Sequence, residues 1–116
     1  MTNAQRQAAI AAARAAAHWF AANPEDWTQG QYARNAAGDF INQYSPDAVC
    51  FCAIGRMSRE ADASGSHAGW VISPVLHMHH SLAYAPLSSF NDSRDTDVFD
   101  VIARLLWMAE ELEKAA

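Results

Sequence analysis

The sequence predicts an all-α protein: a single compact domain of about five helices, two of them short. Three observations support this fold class. Alanine, the strongest helix former, accounts for 25 of the 116 residues. Capping patterns recur along the chain, and apolar residues repeat at the spacing of a helix face. The alternation typical of strands is almost absent, since Trp70-Val71-Ile72 is the single short β-like run. We expect residues 1–116 to share one hydrophobic core, because no long linker divides them.

The first helix is predicted over about residues 3–22. Thr2 and Gln5 have the spacing of a capping box, and Asn23-Pro24 ends the helix. Eleven alanines lie in the first 22 residues. Small side chains allow two helix axes to approach closely, so we expect this helix to pack along a neighbouring helix.

Four more helices are predicted from their start and stop signals. They are a short helix from about Thr28 to Gly38, a helix that starts at Ser45-Pro46-Asp47 and ends near Ser64-Gly65, a helix from Ser73-Pro74 to about Ala83, and a final helix that follows Asp95-Thr96-Asp97. The final helix has the clearest apolar face, from Val98 to Leu112.

Gly55 lies inside the third predicted helix, where glycine costs about 1 kcal/mol relative to alanine. We expect another stretch of backbone to approach it closely, because that contact would compensate for the cost.

The charge and the cysteines narrow the function classes. The formal net charge is −5, and an acidic chain is a poor candidate for binding nucleic acid, since phosphate contacts supply most of that affinity. Cys50 and Cys52 are too close together to form a disulfide framework, so we expect a reducing compartment, the cytoplasm. No apolar run is long enough to span a membrane.

Metal and cofactor motifs are not evident. If Cys50 and Cys52 lie on one helix, their side chains project about 160° apart and cannot share an ion. His77 and His80, spaced i and i+3, could share a metal, but we expect packing roles for them and an apolar setting for His79. The sequence therefore predicts no metal and no cofactor.

Cys52 offers an alternative interpretation as a nucleophile. It shares its side of the predicted helix with Arg56 and Arg59, and nearby cations lower a thiol pKa. No histidine is placed beside it as a base, so we expect a buried, inert thiol.

An acidic cluster precedes and enters the final helix, at Asp92, Asp95, Asp97 and Asp100. The pattern lacks the glycine and the glutamate of an EF-hand loop. Capping of the helix and its dipole explain these acids without calcium.

Trp107 falls at the centre of the polar side of the final helix, beside Arg104 and Asp100. A tryptophan there either packs beneath another segment or is exposed to a partner. Both interpretations stay open, and Trp107 is the first residue at which we expect a binding function.

Three segments occur in a characteristic order: Trp27-Thr28-Gln29-Gly30, Cys52-Ala53-Ile54-Gly55 and Phe90-Asn91-Asp92. Their order and spacing resemble the DUF6197 family of small bacterial and bacteriophage domains, over about Trp27 to Leu112. That family pattern has a small residue after the glycine, where this chain has Arg56. The family has no established activity, so the resemblance implies no catalytic residues.

The same segments have two physical interpretations. Asn and Asp bind local backbone in loops, so the motifs are expected to determine the fold. Alternatively, Trp27, Gln29, Asn91 and Asp92 line a shared polar groove that binds a partner.

The leading hypothesis is a non-enzymatic, cytoplasmic protein that binds another protein, as an accessory factor of a phage or mobile element. One alternative is a small enzyme, or a binder of a small molecule or metal, that uses Cys52, Arg56 and the pair His77/His80. Another alternative is a structural homo-oligomer.

Overall fold

The longest helix, α1, spans Asn3–Ala22 in a computed structural model that describes residues 1–115. The hydroxyl of Thr2 accepts a hydrogen bond from the backbone N–H of Gln5 at 3.0 Å, so the predicted cap is confirmed. Seven residues of α1 are buried, and five of them are alanine: Ala9, Ile10, Ala12, Ala13, Ala16, Ala17 and Phe20. The predicted close packing along a neighbour is also confirmed, because this face lies against the last helix.

Five α-helices are found in residues 1–115, as the all-α prediction requires. They are α1, α2 (Ala53–Ala63), α3 (Ala68–Leu82), α4 (Leu87–Asp92) and α5 (Val98–Lys114). A 3-10 helix covers Pro24–Asp26, and two short antiparallel strands, β1 (Ala33–Arg34) and β2 (Cys50–Phe51), pair with each other. Helix α1 contacts α2 and α3 as well as α5, so the core lies along its buried face.

The predicted helix from Thr28 to Gly38 is wrong. This segment is an irregular loop that contains β1, and Gly30 and Gly38 adopt φ values of +82° and +86°. Arg34 stabilises the loop, because its guanidinium donates hydrogen bonds to the Thr28 hydroxyl at 2.9 Å and to the carbonyls of Gly38 and Gln29. A side chain of the same segment thus satisfies backbone oxygens that backbone N–H groups would have satisfied in a helix.

The predicted helix start at Ser45-Pro46-Asp47 is also wrong, whereas the predicted end near Ser64-Gly65 is confirmed. The Ser45 hydroxyl accepts the N–H of Asp47 at 3.1 Å, which makes a local turn instead of a cap. Helix α2 begins later, at Ala53, because the preceding residues pair as β2. Cys50 therefore lies in a strand, and Cys52 is the N-cap of α2.

Helix α3 begins at Ala68, before the predicted start at Ser73-Pro74, and ends as predicted. Pro74 lies inside the helix and has no N–H for the carbonyl of Trp70. The side chain of Gln5 donates to that carbonyl at 2.9 Å. A contact from α1 therefore replaces the bond that proline removes, which explains why the proline did not mark the start of the helix.

Helix α4 is not anticipated by the sequence, which treats Asn91 and Asp92 as loop residues. The start of α5 agrees with expectation. Asp97 accepts the N–H of Asp100 at 2.9 Å, and Asp100 accepts the N–H of Asp97 at 3.0 Å. This reciprocal capping box confirms the capping interpretation for these two members of the acidic cluster.

No helix within residues 1–115 combines the length and the apolar character needed to cross a membrane.

Candidate functional site

An open surface cleft lies between the end of α3, the connection to α4, and the first half of α5. Its volume is about 870 Å³. The residues that line it include His79, Leu82, Tyr84, Phe90, Arg104 and Trp107. We call this feature the α5 cleft. On α5, Arg104 and Trp107 lie one turn apart on the same face, which places both side chains in the cleft.

Arg104 lies in an aromatic setting. The carbon of its guanidinium is 4.2 Å from the centre of the Phe90 ring and 5.2 Å from the centre of the Trp107 ring. Both distances allow a cation–π attraction. Phe90 also lies 6.1 Å, centroid to centroid, from the ring of His79. The arginine is thereby held in place by side chains from α3, α4 and α5.

His79 is fully buried and faces Arg104. One N–H of the guanidinium lies 3.2 Å from Nε2 of His79, which accepts it if the ring carries its proton on Nδ1. Burial lowers the pKa of His79, and the nearby Arg104 and His80 lower it further, while the Ala85 backbone acts in the opposite direction. The ring is therefore neutral at physiological pH; His79 is buried, as a packing role requires, but the guanidinium of Arg104 makes its setting partly polar.

The charge of Arg104 has no opposite partner in the part of the chain that the structure describes. The ion pairs found there join Arg14 to Glu113, Arg56 to Glu60, and Lys114 to Glu111. A guanidinium has five N–H donors, and His79 accepts one of them. No nitrogen of Arg104 is fully buried without a hydrogen-bond partner among the described residues, and the side chain is partly exposed.

Trp107 is half-buried and lies against the core while it lines the cleft. Both sequence interpretations therefore describe part of its setting, because one portion of the ring packs inside and another is accessible. Tyr84, which the sequence analysis did not single out, is fully exposed at the rim of the cleft, and Leu82 is more than half exposed.

The motif residues Trp27, Gln29, Asn91 and Asp92 come together on the other side of α4. The buried amide of Asn91 accepts hydrogen bonds from the indole N–H of Trp27 at 2.8 Å and from the N–H of Ala53 at 3.0 Å. It donates to the carbonyl of Thr28 at 3.1 Å and to Asp92 at 3.0 Å. All four hydrogen-bonding positions of the amide are thus used inside the protein.

Gln29 completes this arrangement, which we call the Asn91 network. Its amide donates to the carbonyls of Asn91 and Ser93 at 3.0 and 2.8 Å, which lie at the end of α4. The N–H of Gly30 donates to Asp92 at 2.9 Å. The network joins the loop after α1 to the start of α2 and the end of α4, as expected of residues that determine the fold.

Gly55 has the predicted backbone contact. A side-chain carbon at this position would overlap the Tyr32 carbonyl, whose oxygen accepts the N–H of Cys52 at 3.1 Å. Arg56 does not loosen this contact. Its guanidinium pairs with Glu60 at 2.6 Å and lies 4.2 Å from the centre of the Trp19 ring.

Cys52 has a structural contact rather than the setting of a nucleophile. Its buried Sγ accepts the N–H of Gly55 at 3.3 Å. Burial is the largest effect and raises the pKa of Cys52; the backbone N–H groups of Gly55 and Ile54 oppose it, and Asp92 adds a smaller increase. Burial and Asp26 also raise the pKa of Cys50. Both thiols are therefore mostly protonated at neutral pH.

The residues proposed for the enzymatic alternative do not meet in one described cavity. Cys52 lines a depression of about 350 Å³ beside Asn91, whereas His77 lines a separate depression beside Met78 and Glu111. Within residues 1–115, no group of three or more His, Cys, Asp or Glu side chains is arranged to hold a metal ion.

Comparison of the chain with protein-family models, with curated proteins and with solved structures finds no match. The resemblance to the DUF6197 family therefore stays a proposal.

Proposed function

We propose that this protein is a non-enzymatic binding protein and that its α5 cleft receives a segment of another protein. The observation that carries the proposal is the grouping of Tyr84, Arg104 and Trp107 around one open cleft. Tyrosine, arginine and tryptophan are the residue types that contribute most often to hot spots of protein interfaces. Tyr84 is fully exposed, so a partner would bury a large apolar area at a site that is already positioned.

The shape of the site favours a protein segment over a small molecule. Small-molecule sites usually enclose most of the ligand, whereas this cleft is open to solvent. Apolar surface continues beside it on α5, where Phe99 and Leu106 are exposed on a neighbouring face of the helix. A partner can therefore extend from the cleft across α5.

The Asn91 network has a different role in this proposal. Because the amide of Asn91 is buried and fully hydrogen-bonded, we assign Trp27, Gln29, Asn91 and Asp92 to maintenance of the fold. Trp107 is the predicted binding residue that we retain. A cytoplasmic location and an accessory role for a phage or mobile element remain part of the proposal, supported by the free thiols and by the DUF6197-like motifs.

The experiment is affinity capture from the native host with the purified wild-type protein and two variants. We expect wild-type protein to retain a reproducible protein partner, and Tyr84→Ala to lose it. Tyr44→Ala is the matched control, because Tyr44 is also exposed but lies outside the cleft. Equal retention by Tyr84→Ala and wild type would contradict the proposed surface. Light scattering over a range of protein concentrations tests the homo-oligomer, which would appear without any partner.

A further inference from the structure

Arg104 gives the α5 cleft a feature that protein binding alone does not require. A cation lies against two aromatic rings, is hydrogen-bonded to a neutral histidine, and belongs to a partly exposed side chain. Residues 1–115 contain no carboxylate at ion-pair distance from it. Planar guanidinium groups bind carboxylates through two parallel hydrogen bonds, and the aromatic rings keep the group in a fixed orientation.

We propose that Arg104 is the receptor for a carboxylate side chain of the partner, so that the cleft recognises an internal acidic segment in which Glu or Asp adjoins an apolar side chain. This inference rests on the proposed function and names the chemistry of its partner. The apolar neighbour would lie against Tyr84, Leu82 and Trp107, which form the walls beside the arginine.

Because His79 is neutral, the site around Arg104 keeps a positive charge and should prefer an anion. Its Nε2 occupies one donor of the guanidinium without cancelling the positive charge. The Nδ1 atom is buried and forms no hydrogen bond of ordinary length within the described residues. The positive charge that faces the ligand is therefore supplied by Arg104, and His79 adds none.

One negative group also lines the cleft. Asp100 lies one turn before Arg104 on α5, and its carboxylate accepts the backbone N–H of Asp97. That carboxylate repels an incoming anion, because it is exposed near the same opening. Removal of its charge should strengthen the binding of an acidic segment, which supplies a test with the opposite sign to removal of Arg104.

The test uses full-length protein and capped peptides, acetylated at the amino end and amidated at the carboxyl end. Three matched sets present the same apolar–X–apolar sequences with Glu, Gln or Lys at X. Binding is measured by titration calorimetry and by the NMR shift of the Trp107 indole N–H. For wild type we expect Glu peptides to bind about tenfold or more tightly than their Gln counterparts, and Lys peptides to bind most weakly.

Variants of the protein test whether Arg104 causes the preference for Glu peptides. Arg104→Gln should abolish the preference for Glu, Arg104→Lys should keep part of it, and Asp100→Asn should strengthen Glu binding about twofold to fivefold. Arg94→Gln is the matched control, since it removes the same charge from an exposed residue that does not line the cleft. If Arg104→Gln is poorly folded, the preference of wild type for Glu over Gln, and its increase in Asp100→Asn, still test whether the cleft binds a carboxylate.

The outcomes separate this inference from the proposed function. Peptide binding that shifts the Trp107 signal but shows no preference for Glu over Gln would overturn the role of Arg104 and leave the binding cleft intact. The absence of binding by every peptide set, together with no partner in affinity capture, would overturn both. Self-association that Arg104→Gln abolishes would also overturn the inference, because a second copy would then be the occupant.

Discussion

Replacement of Asn91 by alanine should strongly destabilise the fold. The substitution removes the hydrogen bonds to Trp27, Ala53 and Thr28 and the bond to Asp92. Each of the first three contributes about 1 kcal/mol net, and the N–H of Ala53 is left buried without a partner, which adds about 1 kcal/mol. We expect a loss of about 3–4 kcal/mol, a large share of the stability of a domain of this size. The melting temperature should fall by about 12–16 °C.

Urea unfolding and thermal unfolding, each followed by circular dichroism, measure this loss. Gln7→Ala is the control, because Gln7 is an exposed amide on α1, and it should change the stability by less than about 0.5 kcal/mol. A loss below about 1 kcal/mol for Asn91→Ala would refute the reasoning. Nearly unchanged stability together with lost partner capture would instead favour the interpretation of Trp27, Gln29, Asn91 and Asp92 as a binding groove.

Three further predictions concern other contacts. Gly55→Ala should lower the unfolding free energy by about 1–2 kcal/mol in a urea titration, because its new carbon meets the Tyr32 carbonyl, whereas Gly69→Ala meets only the ring of His67, at 3.1 Å, and should cost less. The pKa of His79 is lowered from its ordinary 6.5, so the unfolded state binds more protons as the pH falls through 6.5 and stability declines there. His79→Gln should remove that decline between about pH 7.5 and about pH 5.5, and equal slopes would contradict the assignment. Gln5→Ala should lower the melting temperature by about 4 °C, since a helix carbonyl loses its donor, and a change within error would show that water replaces the side chain.

The sequence predicts well wherever the determining contacts are local. The ends of α1, the capping box of Asp97 and Asp100, and the end of α2 all follow from residues within one helical turn. These signals depend on short side chains that bind their own backbone, so they act in the same way in most folds. Gly55 was also predicted correctly, because glycine inside a helix rarely persists without a close neighbour.

The sequence predicts poorly where distant groups satisfy the backbone. The segment from Thr28 to Gly38 has the composition of a short helix, but Arg34 and strand pairing take up its polar groups. Ser73-Pro74 is typical of the start of a helix, yet the Gln5 side chain donates to the Trp70 carbonyl and so allows α3 to continue through Pro74. The pairing of β1 with β2 and the contact of Gln5 with Trp70 could not be identified from spacing along the chain, because each joins residues that are far apart in the sequence.

The sequence predicts one part of the candidate site, and the tertiary structure determines the rest. From the sequence alone, Trp107 stands out as a large apolar residue on a polar helix face, because helical periodicity by itself places it there. The identity of its neighbours was decided by tertiary structure: α3 brings His79, α4 brings Phe90, and the connection between them brings Tyr84 to the face of α5 that carries Arg104. Helical periodicity places Trp107 one turn from Arg104 on α5, whereas only the packing of α3 and α4 against α5 adds the rings of His79 and Phe90 to the surroundings of this arginine.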